Sequence, residues 1–218
     1  MKHVLCLCAV AALLLGCTAK SGKFQRPEEL KFTAVQGYGL VGDVRSVEYE
    51  DYTINFDTLG NLTSVVWKDG GSNMYEYESP TRYKINGIGP FQISCEDNLR
   101  REEDEQGIEL PFEYEFDNQG RVIRYAYQEY MSRVTEVYTY EGKENGPVTM
   151  SKEYGYETGM EKQENVYTYR EWDEQGNWIQ RDVERKTTNT LYNEGGEGEN
   201  KTVVETEHLT EKRVISYY

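Results

Sequence analysis

YEFDNQGRVIR, residues 114–124, sets a polar tetrad, Asp117-Asn118-Gln119-Gly120, between alternating flanks. The phrase returns as INFDTLGNLTS at 54–64 and within REWDEQGNWIQRD at 170–182. Asp57, Asp117 and Asp173 stand at the head of these tetrads, and Gly60, Gly120 and Gly176 at their ends. An Asp that opens a turn accepts a hydrogen bond from the backbone two residues on. A Gly in fourth place takes the left-handed conformation of a short loop closing into a bulge. Each copy therefore reads as strand, tight turn, strand. Phe56, Phe116 and Trp172 precede the Asp and are expected to cover the hairpin roots. The turn accounts for Asp, Gly and their spacing, so metal binding or acid catalysis by these carboxylates is the less economical reading. A weaker copy, Asp104-Glu105-Gln106-Gly107, lacks the aromatic and is compatible with a plain loop.

Outward from the tetrads, alternation continues. Phe112, Tyr114 and Phe116 share one side of a strand and Glu113 and Glu115 the other. Val134, Glu136, Tyr138 and Tyr140 share a side, as do Ile123, Tyr125 and Tyr127. Period 2 with polar partners describes strands that bury one face. From Lys31 onward no window of a dozen residues carries a helical apolar stripe. The copies lie 60 and 56 residues apart, so each unit is expected to hold about four strands. KRVISYY, at the C-terminus, is another alternating strand, with WIQRDVERK (178–186) or TVVETEH (202–208) as its expected partner. LYNEGGEGENK between those two reads as a mobile hairpin tip rather than a calcium-binding glycine repeat. The expected fold is all-β: an antiparallel meander of hairpin repeats in one domain, 31–218, forming a wide curled sheet or incomplete barrel.

The composition bears this out only as a class. Hydrophobic residues make up 37% of 218, yet 19 are Tyr, which favours strands and supplies buried area with a polar tip. The 13% aromatic content separates the chain from disordered sequences of similar charge. The net charge is −15, and loss of Lys2 in a cleaved leader takes it to about −16. That charge repels phosphate backbones and argues against nucleic acid as a partner.

The first residues carry a separate message. Lys2 and His3 precede an apolar run of 12 residues, Val4 to Leu15. This is short of the roughly 20 residues of a membrane-spanning helix and suits a secretory leader over 1–16 better than a buried helix. Leu14-Leu15-Gly16-Cys17 resembles a bacterial lipobox, although Leu15 stands where Ala, Ser, Thr or Val is more usual. The resemblance implies cleavage before Cys17 and lipid attachment to Cys17. Residues 17–30 then read as the lipidated Cys and a polar tether. Cys95 alone remains for the mature domain, so no intramolecular disulfide is expected, and it reads as a half-buried strand residue. His208 is the one histidine of the mature chain and reads as a surface or strand residue. No zinc-ligand set, phosphate loop or cofactor motif is present. Carboxylate pairs for glycoside hydrolysis require a separation that sequence does not give.

YEFDNQGRVIRY and REWDEQGNWIQRD resemble YD repeats of the RHS type, and most closely the small YD-repeat-like lipoproteins common in Bacteroides and its relatives. GLVGDVRSVEYEDY (39–52) is similar to the entry strand of those proteins, and RVISYY to their closing strand. The family's Tyr-Asp pair is Phe-Asp or Trp-Asp here, and the dense tandem array of the large RHS toxins is missing. The resemblance implies antiparallel hairpins in a wide curled sheet and brings no catalytic residues. The functional expectation is a non-enzymatic binding or scaffold module, lipid-anchored in the cell envelope with the outer membrane as the favoured location. Its partners are expected to be the membrane through the N-terminal lipid, and an envelope protein or glycan. The alternatives are a carbohydrate-binding or carbohydrate-active protein, in which Trp67, Trp172 and Trp178 would stack on sugars, or an assembly subunit pairing through a sheet edge.

Overall fold

A computed structural model of the protein describes residues 30–105, 112–129, 132–192 and 200–218. The leader, Cys17, most of the tether, the end of the weak fourth tetrad and the glycine-rich tip at 193–199 lie outside the described residues.

The described residues form an antiparallel meander of fifteen strands. In order they are β1 (Val44–Glu48), β2 (Tyr52–Phe56), β3 (Leu62–Trp67), β4 (Ser72–Ser79), β5 (Arg82–Ile85), β6 (Ile88–Glu96), β7 (Leu99–Asp104) and β8 (Phe112–Phe116). There follow β9 (Val122–Glu129), β10 (Ser132–Thr139), β11 (Thr149–Tyr156), β12 (Gly159–Trp172), β13 (Trp178–Leu191), β14 (Lys201–Lys212) and β15 (Val214–Tyr217). Each of β1 to β14 pairs with its sequence neighbour, and β15 pairs with β1. The sheet is thus curled into a nearly closed barrel with one unsealed seam.

The closing strand differs from expectation. Only the first two residues of KRVISYY meet 178–186, with Lys212 opposite Gln180 and Arg213 N–H reaching the Ile179 carbonyl at 3.0 Å. The strand proper, 214–217, pairs with neither 178–186 nor 202–208 but with β1. Val47 faces Ile215 and Glu48 faces Val214, with Tyr218 N–H reaching the Asp43 carbonyl at 3.1 Å. Segment 202–208 occupies the β13 edge instead, with Arg185 opposite Glu207. The two ends of the sheet, β14 and β15, are consecutive along the chain and meet at Arg213. One extended stretch thus serves β13 with its first part and β1 with its last. The seam lies where it passes from one to the other.

Tyr-rich alternation fills the interior. Tyr83, fully buried, lies 5.3 Å from Tyr77 and 5.4 Å from Phe91, and Tyr114 stacks on Tyr125 at 4.6 Å. Aromatic pairs across strands add to the burial of their rings. A second core, built on Val44, Val47, Ile54, Phe56 and Leu62, packs against a segment that precedes β1. That segment holds a one-turn helix, α1 (Ala34–Gly37), a departure from the strand-only expectation. Its four residues are too few for a periodic stripe. Thr33 and Gln36 form a capping box, in which Thr33 Oγ1 accepts from Gln36 N–H at 3.1 Å and Gln36 Oε1 from Thr33 N–H at 2.9 Å. Leu30, read as the end of the tether, is buried against Tyr83, Phe91 and Ile93. Phe32 stacks on Phe116 at 4.0 Å, and its carbonyl accepts from the buried Arg100 at 2.7 Å. Residues 30–42 are therefore part of the domain.

The repeat unit is uneven. Six strands separate the first tetrad from the second, and four separate the second from the third. Insertion of whole hairpins leaves the meander intact, because each added pair returns the chain to the same rim.

Candidate functional site

The tetrads join β2 to β3, β8 to β9 and β12 to β13. Each leads from an even strand to an odd one, so all three lie on one rim. In each, the Gly N–H reaches the Asp carbonyl, at 3.0, 3.0 and 3.2 Å, and the Asp N–H reaches the carbonyl four residues on. The Gly φ values are +78°, +78° and +83°. Asp57 Oδ1 accepts from Leu59 and Asn61 N–H, Asp117 Oδ1 from Gln119 and Arg121, and Asp173 Oδ1 from Gln175 and Asn177. One oxygen of each carboxylate is thus occupied by its own loop. Burial alone would raise the Asp117 carboxyl, but the Arg121 N–H and guanidinium and the Gln119 N–H together hold it below its ordinary value.

The aromatics before the Asp behave unequally. Phe56 and Phe116 are buried at their hairpin roots. Trp172 is half-buried, 4.7 Å from Tyr169. In the third copy the residue after the loop, Trp178, is the buried one.

All three loops hold residues 33–42. Val35 N–H donates to the Gly60 carbonyl at 3.2 Å, and a Cβ on Gly60 would sit 3.0 Å from Thr33 Cβ. Gly120 abuts the Gln36 amide, and Gly42 abuts Gln175. Asn177, fully buried, accepts from Val41 N–H and donates to the Val41 carbonyl, both at 2.9 Å, and also donates to Tyr217 Oη at 2.8 Å. Tyr217 Oη in turn donates to Asp173. The repeated phrase is a three-point clasp on the segment entering β1.

A cavity of about 490 Å³ opens beside the seam. The β1–β2 turn, Tyr49 to Tyr52, forms one side and the end of β14, Leu209 to Lys212, the other, with Tyr138, Tyr140, Tyr167 and Trp178 among the walls. Burial pushes the Tyr52 hydroxyl up to about 12 and raises those of Tyr138, Tyr140 and Tyr167, so these phenols stay neutral. Tyr140 Oη donates to the Val122 carbonyl at 2.8 Å, and Asn165 Nδ2 donates to Tyr167 Oη at 3.1 Å.

Two arginines meet on Trp178 in this wall. The Arg181 guanidinium lies 4.1 Å from the indole centroid and that of Arg213 3.8 Å. Arg181 is paired with Glu211 at 2.6 Å. Arg213 is 4% exposed and, among the described residues, has no carboxylate partner. Its Nε donates to the Trp178 carbonyl at 2.6 Å and its Nη1 to Tyr49 Oη at 3.4 Å, while Nη2 is buried with no partner. Glu50 and Asp51 stand exposed at the mouth. The wall therefore carries one positive charge that pairs with no carboxylate among the described residues.

Sequence reasoning singled out Trp178 but not Arg213, Arg181 or Tyr49. The available signal was an Arg in KRVISYY at a position its neighbours make structural. Trp67 lies on β3, 37% exposed, and does not line the cavity. Cys95 is half-buried on β6, beside the Tyr83 and Phe91 cluster. His208 is exposed on β14 opposite Glu184. Among the described residues no three His, Cys, Asp or Glu gather as a metal-binding group, and no helix is long and apolar enough to cross a membrane. Compared with known proteins, the chain matches no family model and has no significant similarity to a curated protein.

Proposed function

We propose that this is a lipid-anchored cell-envelope protein, attached through Cys17, that works as a non-enzymatic binding or scaffold module with the seam cavity as its binding site. The observation that carries the reading is the cavity: its volume suits a small ligand, and aromatic faces, neutral phenols and a buried cation converge on it. Two carboxylates at the clasp and the wall serve other groups, Asp173 capping its loop and Glu211 pairing with Arg181, while Glu50 and Asp51 stand exposed at the mouth. The leader and Leu14-Leu15-Gly16-Cys17 support the anchor, and the D-x-x-G hairpins support kinship with YD-repeat-like lipoproteins. A second reading, a carbohydrate-binding protein, is favoured by Trp178 and the Tyr faces in the wall, which suit sugar rings.

Two experiments test this. Cells expressing the full chain should label it with a palmitate analogue, and Cys17→Ala should abolish labelling; undiminished labelling refutes the anchor. The full-length chain in detergent should bind saturably to members of a panel of envelope glycans and peptides. Competition for that binding should be lost when Trp178→Leu disrupts the wall. Binding indifferent to the wall refutes the cavity as the site.

A further inference from the structure

Arg213 presents an unsolved electrostatic problem. A buried guanidinium without a counter-ion is costly, because its loss of hydration is not offset by a paired charge. Here the cost is eased only by the indole of Trp178 and two neutral acceptors. Burial pulls the proton affinity of Arg213 down, against a smaller opposing effect of Tyr49, and the nearby Arg181 cation adds to the lowering. The half-buried Arg181 has Glu211, and Arg100, the other buried arginine among the described residues, has Glu102 at 2.7 Å. Arg213 departs from that pattern at a cavity wall, with Nη2 unfilled.

We infer that the seam cavity binds a small ring-bearing carboxylate, whose carboxyl group supplies the missing counter-ion to Arg213 while its ring lies among Trp178 and the cavity tyrosines. This rests on the cavity being the binding site. A planar guanidinium donates to a carboxylate in fixed geometry, and a charge-assisted bond in a partly desolvated site is stronger than a neutral one. The neutral phenols suit a ligand that carries hydroxyl or carbonyl groups beside its acid. Exposed Glu50 and Asp51 at the mouth disfavour ligands of higher negative charge, which points to a monocarboxylate. A sugar acid and a peptide C-terminus share this chemistry.

The test is isothermal titration of the full-length chain in detergent with four probes. They are a glucuronate-containing disaccharide, the same disaccharide with glucose in place of glucuronate, a tripeptide ending in Tyr, and its C-terminal amide. The expected result is saturable binding of at least one acid, weakened about 10- to 100-fold in its uncharged counterpart. Which acid binds identifies the source of the carboxylate. Arg213→Met should abolish the preference for the acid over its uncharged counterpart. Arg213→Lys should fall between. Should Arg213→Met fail to fold, the comparison of acid with uncharged probe on the unaltered chain decides alone. Equal binding of acid and uncharged probe, or an undiminished preference for the acid in Arg213→Met, overturns the carboxylate and leaves the binding module standing. Failure of both acids also overturns it, whereas the binding module itself falls only if the wider panel binds without regard to the wall.

Discussion

Alanine at the three tetrad glycines makes one chemical change at three equivalent turns, and the structure ranks the outcomes. All three glycines are left-handed, so each Ala incurs the same backbone cost of about 1–2 kcal/mol. Their surroundings differ. A Cβ on Gly176 meets nothing within 4 Å, so Gly176→Ala should cost the backbone value alone. On Gly120 it meets Gln36 Nε2 at 3.1 Å, the end of a flexible side chain whose Oε1 serves the α1 capping box. Displacing that amide adds a few tenths to about 1 kcal/mol. On Gly60 it meets Thr33 Cβ and Cγ2, both at 3.0 Å. Thr33 is β-branched and its hydroxyl caps α1, so relief requires the backbone to move, adding about 1–3 kcal/mol. The expected order of loss is Gly60→Ala, then Gly120→Ala, then Gly176→Ala, with the first near 2–5 kcal/mol in all. Urea unfolding followed by tryptophan fluorescence measures this, at a slope of about 2 kcal/mol per molar, so Gly60→Ala should lower the midpoint by roughly 1–2.5 M. Gly176→Asn should cost less than Gly176→Ala, because Asn tolerates the left-handed region. Equal losses at all three sites would refute the clasp on residues 33–42. No loss at Gly176 would refute the turn geometry itself.

Asn177→Ala removes the polar bridge between the third loop, Val41 and Tyr217 and strands two half-buried Val41 backbone groups; it should cost about 1–3 kcal/mol in the same urea assay. Gly159→Ala would drive a Cβ to 2.3 Å from the Thr190 carbonyl, and hydrogen exchange should show lost protection in β12 and β13 around that pair. Acid should destabilise the fold. Asp117 and Glu113 are held below their ordinary values of 3.8 and 4.5, Glu113 by Arg133, Arg124 and Arg101 acting against its burial. Their folded pKa is depressed, so their contribution is present above the unfolded value and lost as pH falls through the folded one. Melting temperature should therefore drop below about pH 4.5, and less steeply in Asp117→Asn.

Much of the fold was legible because its signals are local. The Asp and Gly of each tetrad act within five residues, and the alternation of Tyr with polar residues is read strand by strand. The partner of β15 was not legible. Val47 and Ile215 lie at opposite ends of the domain, and alternation in KRVISYY is compatible with any edge. Proximity along the chain favoured 178–186 or 202–208, whereas closure of the curled sheet brings the two ends together. Helix α1 was hidden by its length, although Thr33-x-x-Gln36 is a capping-box pattern. The cavity was hidden for a different reason. Tyr49, Tyr138 and Tyr167 look like every other tyrosine of a strand-rich chain, and only the seam makes them neighbours. Arg213 is unusual solely through what it lacks, a property that three dimensions alone define.

The seam cavity exists only if β15 returns to β1. Ser46 and Ser216 are direct partners across that pair, and neither is buried. Partners on adjacent antiparallel strands bring their Cα atoms to about 4.5–5.5 Å, within the span of a disulfide. The most direct measurement is oxidation of a Ser46→Cys, Ser216→Cys chain followed by mass spectrometry of its peptides. The account predicts a linked pair of peptides containing positions 46 and 216. Free thiols at both positions, with position 216 captured instead by a cysteine placed in 178–186 or 202–208, would contradict it.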